Sequence, residues 1–199
     1  MADGRYKADL GGGSLKVPES RVVASLLLDA VSDDQWRQAI EVENVLQKRS
    51  RGTAARQASL LRARLRTMGP DLWRLVRDGS QSTATHAVFA GAVKHSPLLG
   101  DFLDLMVRDQ FRLFRAELPR RLWGEYLELC RNRDPLMPVW QETTAAKQAD
   151  SAFRILSEVG YLADTKTYRL TPVRISPEVM TYLRENDEQY VMRCIQVSL

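Results

Sequence analysis

Between positions 54 and 68 the apolar residues Ala54, Ala58, Leu61, Leu65 and Met68 recur at steps of 4, 3, 4 and 3. That spacing draws one narrow stripe along an α-helix and fits no strand. The stretch around it, Lys48 to Arg66, carries Lys48, Arg49, Arg51, Arg56, Arg62, Arg64 and Arg66 and not one acid. At about 100° of turn per residue, Arg56, Arg62, Arg64 and Arg66 all fall outside the apolar stripe. The pattern predicts a helix held to a core by one face, with arginines on the other. Without acids nearby, i,i+4 pairing does not neutralise those arginines. A one-signed field of this kind suits an extended anion such as nucleic acid. The plainer reading is a solvated face built from good helix formers, because charge pattern alone names no partner.

The charge is local. Residues 1–100 hold 15 Lys/Arg against 10 Asp/Glu, and residues 101–199 hold 14 against 15. With 44% apolar and 27% charged residues in 199, the composition is that of a folded globular chain. Cys130 and Cys194 match no metal or redox spacing, so reduced, structural thiols are expected. The start, MADGRYKADLGGG, has no apolar core of a signal peptide. The most apolar stretches, Val22 to Leu28 and Ala87 to Val93, fall short of the about 20 residues a membrane helix needs. These features predict a cytoplasmic protein with no membrane contact.

Patterns that carry catalysis are weak. His86 and His95 are nine residues apart, which a helix does not bring to one metal. Asp101, Asp104 and Asp109 find no clear metal partner. Gly11-Gly12-Gly13-Ser14 lacks the closing Gly-Lys-Ser/Thr of a phosphate loop and reads as a flexible arm. No nucleophile motif is evident. No enzyme activity, small-molecule substrate, cofactor or metal is expected. Trp36, Trp73, Trp123 and Trp140 sit in apolar patterns that suit core packing.

Proline, glycine and capping residues divide the chain into helices. Residues 1–19 read as a flexible N-terminal arm. Helices are predicted from Ser20 to about Val31, from Ser32 to about Leu46, and from a cap at Ser50 or Thr53 through Met68. Others run from Pro70, from Thr83 to Lys94, from Leu98 to Phe114 and from Pro119. Pro135 and Pro138 mark the expected boundary between a helical bundle, 20–134, and a C-terminal unit, 135–199. That unit holds a helix capped by Thr143 or Thr144 and running to Val159. Tyr161-Leu162 and Tyr168–Leu170 follow as a small β-hairpin, and a helix starts at Ser176-Pro177.

Two nucleic-acid sites are conceivable from these elements. In the first, the helix from Ser32, the polar turn QKRSRG and the basic helix follow one another as in a helix-turn-helix. Lys48, Arg49, Arg51, Thr53, Arg56 and Gln57 then lie nearest the groove, and Arg62 and Arg66 reach phosphate. In the second, the C-terminal unit resembles a winged helix. Its Thr144–Val159 helix presents Lys147, Ser151 and Arg154, and the hairpin presents Lys166 and Arg169. Asp150 and Glu158 on or near that outer face would repel phosphate and favour a plain α+β appendage instead.

Several segments together resemble one family. LKVPESR at 15–21, ENVLQKRS at 43–50, LWRLVRDGS at 72–80, KHSPLLGDFLDLMVRDQF at 94–111 and YVMRCIQV at 190–197 are similar to BrxA, a small component of bacteriophage-exclusion (BREX) defence systems. The resemblance runs from about Tyr6 to Val197. It implies a mainly α protein, a helical bundle similar in part to the RNA-binding antitermination factor NusB. It also implies double-stranded DNA as a partner, other BREX proteins as possible partners, and no catalytic role. A protein–protein adaptor within the defence complex, or an RNA-binding protein, are the alternatives. The resemblance assigns no contact residues one by one.

Overall fold

A computed structural model describes residues 4–12 and 14–198. Its regular elements are helical. They are α1 (Val17–Leu28), α2 (Asp33–Arg37, extended by a π-turn over Gln38–Val42), α3 (Arg51–Arg66), α4 (Pro70–Asp78), α5 (Gln81–His95) and α6 (Pro97–Phe102). After a π-turn over Leu103–Val107 come α7 (Arg108–Arg112), α8 (Leu122–Arg133), α9 (Glu142–Val159), α10 (Pro177–Glu185) and α11 (Gln189–Ile195). No described helix is long and apolar enough to cross a membrane.

The helix starts follow the residues that make them. Ser32 accepts a hydrogen bond from the Gln35 amide while the Gln35 side chain accepts one from Ser32 N, a reciprocal capping box. Prolines stand in the first turns of α1, α4, α6 and α10, where a missing N–H costs nothing.

The chain divides into two compact units. One gathers Leu15–His95 with Ser176–Asn186. In it α5 is buried at every position from Thr83 to Val93, against α1, α3, α4 and α10. Its small residues make this possible: a Cβ on Gly91 would lie 3.1 Å from the carbonyl oxygen of Arg64 on α3. The other unit gathers Met1–Ser14, Ser96–Ile175 and Asp187–Leu199. Its core centres on Phe102, whose ring lies 4.9 Å from Trp123, 5.2 Å from Tyr126 and 6.0 Å from Phe153. Cys130 and Cys194 are buried, unbridged thiols in this unit, and burial pushes both pKa values up.

Three expectations differ from the structure. The Pro135–Pro138 break lies inside one unit; the chain crosses between units at Ser14, His95, Ile175 and Asn186. The described part of the N-terminal segment is packed. Tyr6, Leu10 and Leu15 are fully buried, and α1 already begins at Val17. Asp101 fastens this segment by accepting from Arg5 Nε and Nη2 and from the Tyr6 hydroxyl, at 2.8–3.1 Å. Tyr190 donates to the same carboxylate at 2.7 Å. Burial and then this carboxylate push the Tyr6 phenol up to about 12. Gly13 of the glycine run lies outside the described residues.

The third correction concerns the wing. No strand forms among the described residues; only single bridges, Leu162 to Leu170 and Glu117 to Arg169, are made. Residues 168–170 split their backbone groups between two neighbours. Leu118 N donates to Tyr168 O and Leu170 N to Ala116 O, both at 2.9 Å, while Ala163 N donates to Arg169 O. Tyr168 has φ of 54°, which breaks an extended path. Asp164 turns the chain by accepting the Lys166 and Thr167 amides at 2.7 Å. A winged-helix unit with a β-hairpin is therefore not what the sequence builds.

Candidate nucleic-acid interface

The basic helix exists as α3, and Ser50 caps it by accepting from Thr53 N. Ala54, Ala58, Leu61, Leu65 and Met68, the predicted seam, are all buried. The opposite stripe, Gly52, Arg56, Ser59, Ala63 and Arg66, is exposed and repeats at the same 4, 3, 4, 3 steps.

The charged residues of the run fall into two sets. Lys48 forms an ion pair with Glu19 of α1. Burial would raise the Glu19 carboxyl, but the Lys48 hydrogen bond, a backbone hydrogen bond and the charges of Lys48 and Lys16 together hold Glu19 below its ordinary value. The backbone of Lys48 is also bracketed by Asn44, which accepts from Lys48 N at 2.9 Å and donates to Lys48 O at 2.8 Å. Arg62 reaches Asp33 at 3.1 Å and lies over the Trp36 ring. Arg64 is 1% exposed, beneath α5. Gln57 turns its amide oxygen inward, where it meets no hydrogen-bond partner among the described residues. Thr53 is half-buried and accepts from the Ser50 hydroxyl at 2.9 Å. Lys48 and Arg62 thus tie this stretch to α1 and α2.

Arg49, Arg51, Arg56 and Arg66 form the second set. All four are exposed, and none pairs with a carboxylate among the described residues. The only fixed contact among them in the described residues is Arg56 Nε donating to Gly52 O at 3.3 Å. Arg51 opens the helix, and no acid stands in its first turn. A helix N-terminus already carries partial positive charge, so arginine there raises the local potential instead of relieving it. The connection from α2 to α3 spans residues 43–50, longer than the three or four residues of a helix-turn-helix turn.

The C-terminal candidates are scattered. Lys147 and Arg154 are exposed on α9 and line a cleft of about 320 Å³ with Gly11, Gly12, Gln148, Asp150 and Ser151. Ser151 is buried and donates to Lys147 O, so it offers no free hydroxyl. Asp150 pairs with Arg120 at 2.5 Å and keeps a carboxylate in the cleft. Lys166 and Arg169 are exposed but do not line this cleft. Among the described residues no group of three His, Cys, Asp or Glu gathers as metal ligands.

Comparison with known proteins gives a consistent relationship. The BrxA family model matches residues 4–187. The BREX protein BrxA of Paramagnetospirillum magneticum (strain AMB-1) is 71% identical over 199 residues, covering all of both chains. That of Escherichia coli O9:H4 (strain HS) is 31% identical over 194 residues, covering 98% of this chain and 91% of the relative. A crystal structure of a Magnetospirillum magneticum protein superposes with a TM-score of 0.92 at 70% identity, covering 98% of this chain and 100% of that one.

Proposed function

The chain belongs to the BrxA family of BREX components, and on that premise we propose that it is a non-enzymatic protein that binds double-stranded DNA for a phage-defence assembly. The supporting observation is the outer stripe of α3. Small residues, Gly52, Ser59 and Ala63, share the stripe with Arg56 and Arg66, and Arg49 and Arg51 stand at its N-terminal end. Small side chains let a duplex backbone approach, and the long arginines reach past them. Arg56 and Arg66 are ten residues, or about 15 Å, apart along the helix. That distance suits phosphates on the two sides of a major groove about 12 Å wide. The contacts are to phosphate, so binding is largely independent of sequence. Other BREX proteins are the expected partners.

Titration of duplex DNA at several salt concentrations tests this reading. Four phosphate contacts predict that log K falls against log salt with a slope of roughly −3 to −4. A flat dependence, or capture of a nuclease-resistant protein partner without any shift of duplex DNA, rejects it in favour of an adaptor. Stronger binding of single-stranded or duplex RNA in competition rejects it in favour of RNA.

A further inference from the structure

The chain carries a second feature suited to DNA, in the other compact unit from α3. Helix α7 ends in Arg112-Leu113-Phe114-Arg115. Leu113 is 61% exposed and Phe114 is 94% exposed. A lone exposed leucine needs no explanation, but a fully presented phenylalanine beside it does. The tip is built, not loose. Leu113 N donates to Asp109 O at 2.9 Å, Phe114 N to Phe111 O at 3.0 Å and Arg115 N to Gln110 O at 3.0 Å. Immediately after it, the bonds of Ala116 O and Leu118 N to residues 170 and 168 clamp the outgoing chain. Phe114 holds φ of 52°, a left-handed conformation unfavourable for a bulky side chain. The position closes the C-terminus of α7, where glycine is the usual residue, so the cap fixes the backbone that carries the ring.

The flanking charge selects the occupant. Arg112 and Arg115 are exposed, and neither pairs with a carboxylate among the described residues. Asp109 and Glu117 are exposed nearby in the chain. An apolar protein pocket would not call for unpaired cations two residues before and one residue after the phenylalanine. A duplex does, because its base steps are apolar and phosphates lie on both sides of them.

We propose that Leu113-Phe114 is a wedge that enters the minor groove and unstacks a base step. Arg112 and Arg115 hold the phosphates to either side. Flexible pyrimidine–purine steps open at the least cost and are its preferred sites. The proposal rests on the DNA-binding reading above and adds a mode of binding that reading does not contain.

The test uses the full chain and a short duplex with 2-aminopurine at a TA step, whose fluorescence rises on unstacking. Binding is followed separately by anisotropy. The wild-type protein is expected to raise the fluorescence. Phe114→Ala should abolish the rise and weaken binding about tenfold, by the usual cost of a lost base–aromatic contact. Phe114→Gly, which suits the backbone conformation, should do the same and excludes misfolding as the cause. Should the wild type bind with a normal salt slope but no fluorescence rise, the wedge is wrong and DNA binding stands. The wedge is equally wrong if Phe114→Ala keeps the rise. Should the wild type fail to bind duplex at low salt, both readings fall together.

Discussion

The guanidinium of Arg62 lies 4.4 Å from the centre of the Trp36 ring. Its charge faces the ring and Asp33, so Arg62 fastens α3 to α2 instead of facing solvent. Arg62→Ala should lower stability by about 1 kcal/mol, as expected for a partly exposed cation over tryptophan with its packed stem. Urea denaturation measures this. Duplex affinity and its salt slope should not change; a loss of slope would return Arg62 to the contact set.

Arg51 and Arg56 should behave in the opposite way. Changing both to Glu is expected to abolish DNA binding and leave the helical circular dichroism spectrum intact. The Arg51→Glu part places an acid in the first turn of α3 and should stabilise the helix by about 0.5 kcal/mol. Changing both to Gln should reduce the salt slope by roughly 2. Stability and binding thus move in different directions, which separates a contact from a folding effect. If Arg51→Glu/Arg56→Glu still binds, α3 is not the main contact, and the binding residues are Arg112 and Arg115 beside Phe114 or Lys147 and Arg154 of α9.

His86 gives a pH-dependent prediction. Its Nδ1 accepts from Ser176 N at 3.0 Å, and burial holds its pKa below the ordinary value. The folded state therefore takes up this proton at lower pH than the unfolded chain does. Stability is full above the unfolded histidine range and declines as pH falls below about 6.5. Thermal melts between pH 7.5 and 5 should show the decline. His86→Asn should reduce the slope there; an unchanged slope would assign it to other groups.

Phe114 should be replaceable with a gain in stability. Its left-handed backbone penalises any L side chain and not glycine. The residue is 94% exposed, so removal of its ring forfeits little burial. Phe114→Gly should raise stability by up to about 1 kcal/mol, and Phe114→Ala should be nearly neutral. A clear loss in denaturation would mean that the ring packs within its own unit.

Repetition and capping made part of the molecule legible in advance. The seam from Ala54 to Met68, the helix start at Ser32 and the proline starts at Pro70 and Pro177 are local, and each appears where the residues demand it. The small residues of α5 are equally local, and they permit the close approach of α3 at Gly91. Contacts distant in sequence were not legible. Asp101 accepts from Arg5, Tyr6 and Tyr190, and no spacing rule joins those positions. The expected hairpin failed for the same reason, because residues 116–118 compete for the backbone of 168–170.

By itself the amino-acid sequence determined that α3 is a helix with one buried face and a basic exterior. Periodicity and missing acids are properties of neighbouring residues and need no third dimension. Only the tertiary structure decided which basic residues are available. Lys48, Arg62 and Arg64 differ from Arg49, Arg51, Arg56 and Arg66 through Glu19, Asp33, Trp36 and the closeness of α5. A helical wheel has one apolar stripe, whereas a helix in a bundle meets neighbours on several sides. Those neighbours consume charges that the wheel leaves outside.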